Sequence, residues 1–182
     1  MLIILDRDGV INFDADNYIK SPDEWIPIPG SINAVAQLSK KYAVVVATNQ
    51  SGVNRGLYSL ATLEKIHQKM ISEIEKAGGK IEKIYFCPHR PDENCNCRKP
   101  KPGMLLQIQK DFNVKNNEMI YIGDSFKDYE AAVAVGCKFI LVLTSNGVDT
   151  QKQLPGDSKV PVFKDLADAA KSIPITIEFY RK

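Results

Sequence analysis

Leu2-Ile3-Ile4-Leu5-Asp6-Arg7-Asp8-Gly9-Val10-Ile11-Asn12 decides how this chain is read. Four aliphatic residues in a row, bounded by a turn residue, are the pattern of a strand buried on both faces, as in a parallel sheet. Two aspartates follow at once. In parallel α/β sheets ligands bind outside the carboxyl ends of the strands, so Asp6 and Asp8 belong at the working edge. Carboxylates this close repel each other and lose solvation unless a cation joins them. A hard, oxygen-seeking divalent ion suits that role. The plain alternative is a strand end and a turn; three further stretches weigh against it.

Outward from this strand, apolar runs alternate with helical periodicity. A polar connection from Asn12 to Gly30 holds Asp14, Asp16, Asn17 and Tyr18, with Trp25 and Ile26 as anchors. Loops this long are usually functional or disordered, and this one would hang over the end of strand one. A helix is expected from Ser31 to about Lys40, then a buried strand over Tyr42 to Ala47. That strand ends in Thr48-Asn49-Gln50-Ser51-Gly52, a composition of free backbone N–H groups and side-chain donors that suits a phosphate and is also ordinary turn chemistry. A loop containing Arg55 follows. Ser59 is expected to cap a helix from Leu60 to Ala77, with His67 on or beside its apolar stripe as a packed residue. A third strand is expected over Ile81 to Phe86.

Next comes Cys87-Pro88-His89, and after a short interval Cys95-Asn96-Cys97. Three thiols and an imidazole in one loop are the ligand set of a closed structural zinc site, although the spacings are tighter than those of a zinc finger. Such a site would hold a loop still rather than catalyse. Arg98-Lys99-Pro100-Lys101-Pro102-Gly103 leaves it, three cations on a proline-stiffened segment, which favours a fixed anion-binding role. A helix over Gly103 to Phe112 is expected, then a strand over Glu118 to Ile122 ending in Gly123-Asp124-Ser125. Ser125 is placed to cap a helix from Phe126 to Val135. A fifth strand over Lys138 to Leu143, a polar loop from Thr144 to Lys159, a short edge strand over Val160 to Phe163, a helix over Asp165 to Ser172 and a tail from Thr176 complete the chain. The pattern predicts one α/β domain over residues 1–182 with a mainly parallel sheet.

With 182 residues, 44% hydrophobic, 25% charged and a net charge of +2, the chain has the profile of an ordinary globular protein. Its charge makes no case for a nucleic-acid partner. No run approaches the ~20 apolar residues that span a bilayer, and no signal-peptide pattern precedes the first strand. A cytoplasmic monomer, without nucleic-acid or membrane partners, is the expectation.

The strand ends collect Asp6, Asp8, Thr48, Asn49 and Asp124, and the segment after strand three adds Arg98 and Lys99. In these motifs the chain resembles the haloacid dehalogenase (HAD) superfamily of phosphotransferases: Asp6-Arg7-Asp8-Gly9, Thr48 ending strand two, Lys99 before a helix, and Gly123-Asp124 with Asp128 four residues on. The longer strings around Asp6, Thr48 and Cys97-Arg98-Lys99-Pro100, together with the Cys/His loop, resemble the bacterial D-glycero-D-manno-heptose 1,7-bisphosphate 7-phosphatase family, close to the histidinol-phosphate phosphatases. The likeness runs from Leu2 to about Leu143. One departure is Ser125, where some members carry lysine; Lys127 stands two residues on.

That resemblance implies a three-layer, Rossmann-like fold with a minimal cap, acting in activated-heptose (lipopolysaccharide core) biosynthesis. It implies Asp6 as nucleophile, Asp8 as acid and base, and Thr48, Asn49 and Lys99 on the phosphoryl oxygens. Mg²⁺ would lie on Asp6, the Asp8 main-chain carbonyl and Asp124, and Zn²⁺ on Cys87, His89, Cys95 and Cys97. Gln50, Ser51, Arg98, Asp14, Asp16, Asn17, Tyr18 and Arg55 are the candidate contacts to a phosphorylated sugar. Arg98, Lys101 and Arg55 exceed the needs of one phosphate, which favours a bisphosphate over histidinol phosphate or a broader sugar phosphate. Two readings from other classes remain. A phospho-acceptor signalling domain would need its aspartate after strand three, where Cys87 stands, and a zinc-stabilised binding module has no need of clustered carboxylates.

Overall fold

A computed structural model describes residues 1–179. Six strands form one sheet: β1 (Leu2–Leu5), β2 (Ala43–Asn49), β3 (Lys83–Cys87), β4 (Met119–Gly123), β5 (Lys138–Val142) and β6 (Val162–Phe163). Their order is β3-β2-β1-β4-β5-β6, and every neighbouring pair is parallel. The chain builds outward from β1 in one direction and then returns beside it as β4. This places the topological switch between the Asp6 and Asp124 ends, where open α/β sheets bind ligands.

Among the described residues six α-helices flank the sheet: α1 (Ser31–Ser39), α2 (Leu60–Lys76), α3 (Gly103–Phe112), α4 (Phe126–Val135), α5 (Gly147–Gln153) and α6 (Leu166–Phe179). Side chains alternate across the sheet. Ile3 and Leu5 join Val44, Val46, Ile120 and Ile122 against α1, α2 and α6. Leu2 and Ile4 join Val45, Ala47 and Tyr121 against α3 and α4. The result is the expected three-layer α/β architecture. Ser59 caps α2 by accepting from Thr62 N at 3.1 Å. Ser125 caps α4 in a reciprocal box with Asp128; such caps are worth about 1 kcal/mol each.

Four expectations change. Strand three begins at Lys83 rather than Ile81 and ends with Cys87 opposite Asn49, so the Cys/His loop departs beside the end of β2. The segment from Thr144 to Lys159, read as loop, contains α5. No apolar period announces that helix; Gly147 permits it, since a Cβ there would stand 1.9 Å from the Val142 carbonyl oxygen. The final helix runs on to Phe179 instead of giving way to a tail at Thr176; residues 180–182 of that expected tail lie outside the described residues. In the long first connection Trp25 is buried, but Ile26 is 57% exposed and holds the loop only through its carbonyl, which accepts from Phe13 N at 3.0 Å. Loops, rather than an inserted domain, surround the sheet's carboxyl edge. Among the described residues no helix is long and apolar enough to cross a membrane.

Candidate active site

The carboxyl ends of β1, β2 and β4, with the segment leaving the Cys/His loop, enclose a cavity of about 320 Å³. Asp6, Asp8, Thr48, Asn49, Gln50, Ser51, Arg98, Lys99 and Asp124 all line it, as do Asp14, Asp16 and Tyr18 from the first connection. Asn17 and Arg55 do not, and both are exposed. Six lining residues were not among the expected site members: Arg7, Ala15, Ile19, Ser125, Lys127 and Asn146.

Lys99 is the electrostatic centre. It is 2% exposed, and its Nζ stands 2.8 Å from Asp6 Oδ2 and 2.7 Å from Asp128 Oδ1. It also donates to the Ala47 carbonyl at 3.0 Å and the Tyr121 hydroxyl at 2.8 Å. Burial opposes its charge, but Asp128 and Asp6 outweigh burial and hold its pKa above the ordinary lysine value. Asp128 is likewise held below the carboxylate range: burial works against it and Lys99, Tyr121 and Ser125 win. Asn49 spends both ends of its amide on Lys99, donating to its carbonyl and accepting from its N–H at 3.1 Å each. It therefore fixes the Lys99 main chain while still lining the cavity, with a second N–H on its amide.

The remaining carboxylates are short of positive charge. Burial raises Asp6, and Asp128 and Asp124 add to this against Lys99. Burial and Asp128 push Asp124 up to about 7. One oxygen from each of Asp6, Asp124 and Asp128 lies within 4.8 Å of the others, a hard oxygen cage of the kind a divalent cation takes. Asp128 has both oxygens engaged by Lys99, Tyr121 and Ser125. Asp124 binds Asn146 through Oδ2 alone, at 3.1 and 2.9 Å, which leaves Oδ1 free for an ion. The Asp8 carboxylate stands outside this trio. Gly9, at φ +79°, lets β1's turn pass Asp124 closely; a Cβ there would lie 2.5 Å from the Asp124 carboxylate.

The Cys/His loop forms its own cluster. Cys97 Sγ lies 3.3 Å from Cys87 Sγ, 3.6 Å from Cys95 Sγ and 3.4 Å from His89 Nδ1. Cys87 lies 3.5 Å from His89 Nδ1 and 3.6 Å from Cys95. These are not disulfide distances. A tetrahedron around zinc has edges of roughly 3.5–3.8 Å at ordinary Zn–S and Zn–N lengths, so the four side chains fit that ion. Arg98 donates to the His89 carbonyl at 3.1 Å, which ties the cluster to a cation on the pocket wall. Cys95→Ser is expected to weaken zinc binding by about 100-fold or more, worth about 2.7 kcal/mol or more of stability. Metal analysis and a denaturant titration check this; full zinc content with an unchanged midpoint would refute it.

Fold and site together define a phosphatase whose clustered carboxylates suit a divalent cation. A family model described as HAD-hydrolase-like matches residues 96–169. Curated D-glycero-beta-D-manno-heptose-1,7-bisphosphate 7-phosphatases from Pseudomonas putida and Pseudomonas aeruginosa are 50% and 51% identical to this chain, each over 94% of it and over 98% and 97% of their own lengths. The crystal structure of the D,D-heptose 1,7-bisphosphate phosphatase from B. bronchiseptica, complexed with magnesium and phosphate, superposes with a TM-score of 0.92 at 46% identity, covering 96% of this chain and 98% of that one. The chain belongs to the D-glycero-beta-D-manno-heptose-1,7-bisphosphate 7-phosphatase family of HAD phosphatases.

Proposed function

We propose that this enzyme removes the 7-phosphate of D-glycero-β-D-manno-heptose 1,7-bisphosphate, the substrate its relatives' name carries. The observation that carries the reading is the convergence of Asp6 and Asp8 after β1, Thr48 of β2, Asp124 after β4 and Lys99 from the segment leaving the Cys/His loop on one cavity. Asp6 attacks phosphorus in line; its oxygen–phosphorus bond forms as the ester P–O bond breaks. A proton from the Asp8 carboxyl goes to the departing sugar oxygen. Water then attacks the aspartyl-phosphate, gives its proton to Asp8 and frees Asp6. Lys99 and Thr48 stabilise the transferring oxygens, and this positioning supplies most of the catalysis in phosphoryl transfer. Mg²⁺, held by Asp6, the Asp8 carbonyl and Asp124, supplies positive charge that offsets the repulsion between Asp6 and the phosphate dianion. Asn49 and Gln50 act by holding Lys99 and Asp8. Arg98, Ser51, Asp14, Asp16 and Tyr18 face the rest of the sugar phosphate.

We read residues 1–182 as a single phosphatase domain, because both helical layers share one sheet, and as a cytoplasmic monomer without a nucleic-acid or membrane partner. Phosphate release with Mg²⁺ from the heptose bisphosphate, histidinol phosphate and fructose 1,6-bisphosphate tests the substrate. The expected kcat/KM advantage of the heptose is ~100-fold or more, about 2.7 kcal/mol of discrimination. Equal rates on all three would remove the substrate and leave the chemistry.

A further inference from the structure

Arg7 stands between the two catalytic aspartates, yet it is 1% exposed. Its guanidinium grips the Asp8 carboxylate with two prongs, Nε to Oδ1 and Nη2 to Oδ2, each at 3.0 Å. Asn12 Nδ2 adds a bond to Oδ1 at 2.9 Å and Gln50 Nε2 one to Oδ2 at 2.8 Å. Gln50 is itself held by the Tyr58 hydroxyl, which donates to its Oε1 at 2.8 Å. All of Asp8's side-chain partners are donors, so a protonated Asp8 finds no acceptor among them and can offer its proton only to the cavity it lines.

A bidentate guanidinium fixes the plane of a carboxylate in a way a point charge does not. Something must in turn fix the guanidinium. Its free prong, Nη1, lies 3.5 Å from Nε2 of His67, a residue of α2 that is 3% exposed and rests against the Phe86 ring at 5.8 Å. Burial, with Arg7 adding to it, holds the His67 pKa down to about 3. The imidazole is therefore neutral, and against a donor its Nε2 presents a lone pair. A neutral acceptor is the group that can receive a buried arginine's spare N–H without competing with Asp8 for its charge.

We propose that Arg7 is the positioning residue of the general acid and base, setting the plane of the Asp8 carboxylate, and that His67 on α2 is the rear anchor that aims Arg7. This rests on the reading of Asp8 as acid and base. It gives α2, otherwise a packing helix, a part in the proton transfer.

The test compares two esters in the first turnover, before aspartyl-phosphate hydrolysis intervenes. Release of a sugar alcohol needs a proton from Asp8; p-nitrophenolate leaves without one. Arg7→Lys, which keeps the charge and loses the fork, is expected to slow release of the sugar ~50-fold and of p-nitrophenolate less than about 3-fold, with KM unchanged, since general acid catalysis contributes ~10²–10⁴. His67→Leu is expected to give the same selectivity at ~5–10-fold. His67→Gln, which restores an acceptor, should return the sugar rate to within about 2-fold. Equal losses on both esters in Arg7→Lys and His67→Leu, or no recovery in His67→Gln, would overturn the proposal. Asp8→Asn separates the two levels. If it spares p-nitrophenolate release while Arg7→Lys shows no selectivity, only the positioning role fails. If Asp8→Asn slows both esters equally, the acid–base reading falls and the proposal with it.

Discussion

Asp6→Asn is expected to lower phosphate release by ~10⁴-fold or more, a barrier increase of about 5.5 kcal/mol, while the protein stays folded. An amide of the same shape has no charge with which to attack phosphorus. The fold should tolerate the change for a reason visible in the site. Asp6 is destabilised as a carboxylate by burial, by Asp128 and by Asp124, so a neutral isostere relieves repulsion. Lys99 keeps Asp128 at 2.7 Å and the Tyr121 hydroxyl at 2.8 Å. Phosphate release and a urea titration of the same preparation make the check. Turnover near that of the parent would refute Asp6 as nucleophile, and a collapsed urea midpoint would mean that activity was lost through the fold.

Lys99→Met should damage both properties at once. The apolar side chain leaves Asp6, Asp124 and Asp128 within 4.8 Å of one another without their ammonium. Removing one partner of a buried ion pair costs about 3–5 kcal/mol, because the opposite charge stays buried and unpaired. Turnover should fall by ~10²–10³-fold or more with the loss of a preorganised cation at the transferring phosphoryl group. Added Mg²⁺ should recover part of the stability, since an ion that binds only the folded state shifts the unfolding equilibrium by mass action. Denaturation midpoints with and without Mg²⁺ measure this. A midpoint equal to the parent's would show that Lys99 is not the counter-ion of the trio.

The site was legible where one residue type does one job at a strand end. Asp6, Asp8, Thr48 and Asp124 follow or end apolar runs, Lys99 stands directly before a proline-stiffened turn, and all five meet at the cavity. The Cys/His cluster was legible for a similar reason: few other uses explain three thiols and an imidazole in eleven residues. What escaped was the layer behind these groups. Asp128 sits four residues after Asp124 and could be read as part of a motif, but its engagement with Lys99 and Tyr121 spans separate elements. Asn146 gave no signal, because it begins a helix without an apolar period. Asn17 and Arg55 fall outside the cavity lining, because loop composition says nothing of which way a loop faces.

Sequence by itself determined the parallel α/β sheet, the polarity of its strands and the chemistry at their ends, since hydrophobic periodicity and turn residues are local and their consequences repeat in every such fold. Tertiary structure alone decided how charge is balanced. Whether Lys99 serves Asp6, whether Arg7 meets His67, and whether Asn49 holds the Lys99 main chain depend on contacts between residues 93, 60 and 50 positions apart. Those distances are set by how helices pack on the sheet, and no short-range pattern encodes them.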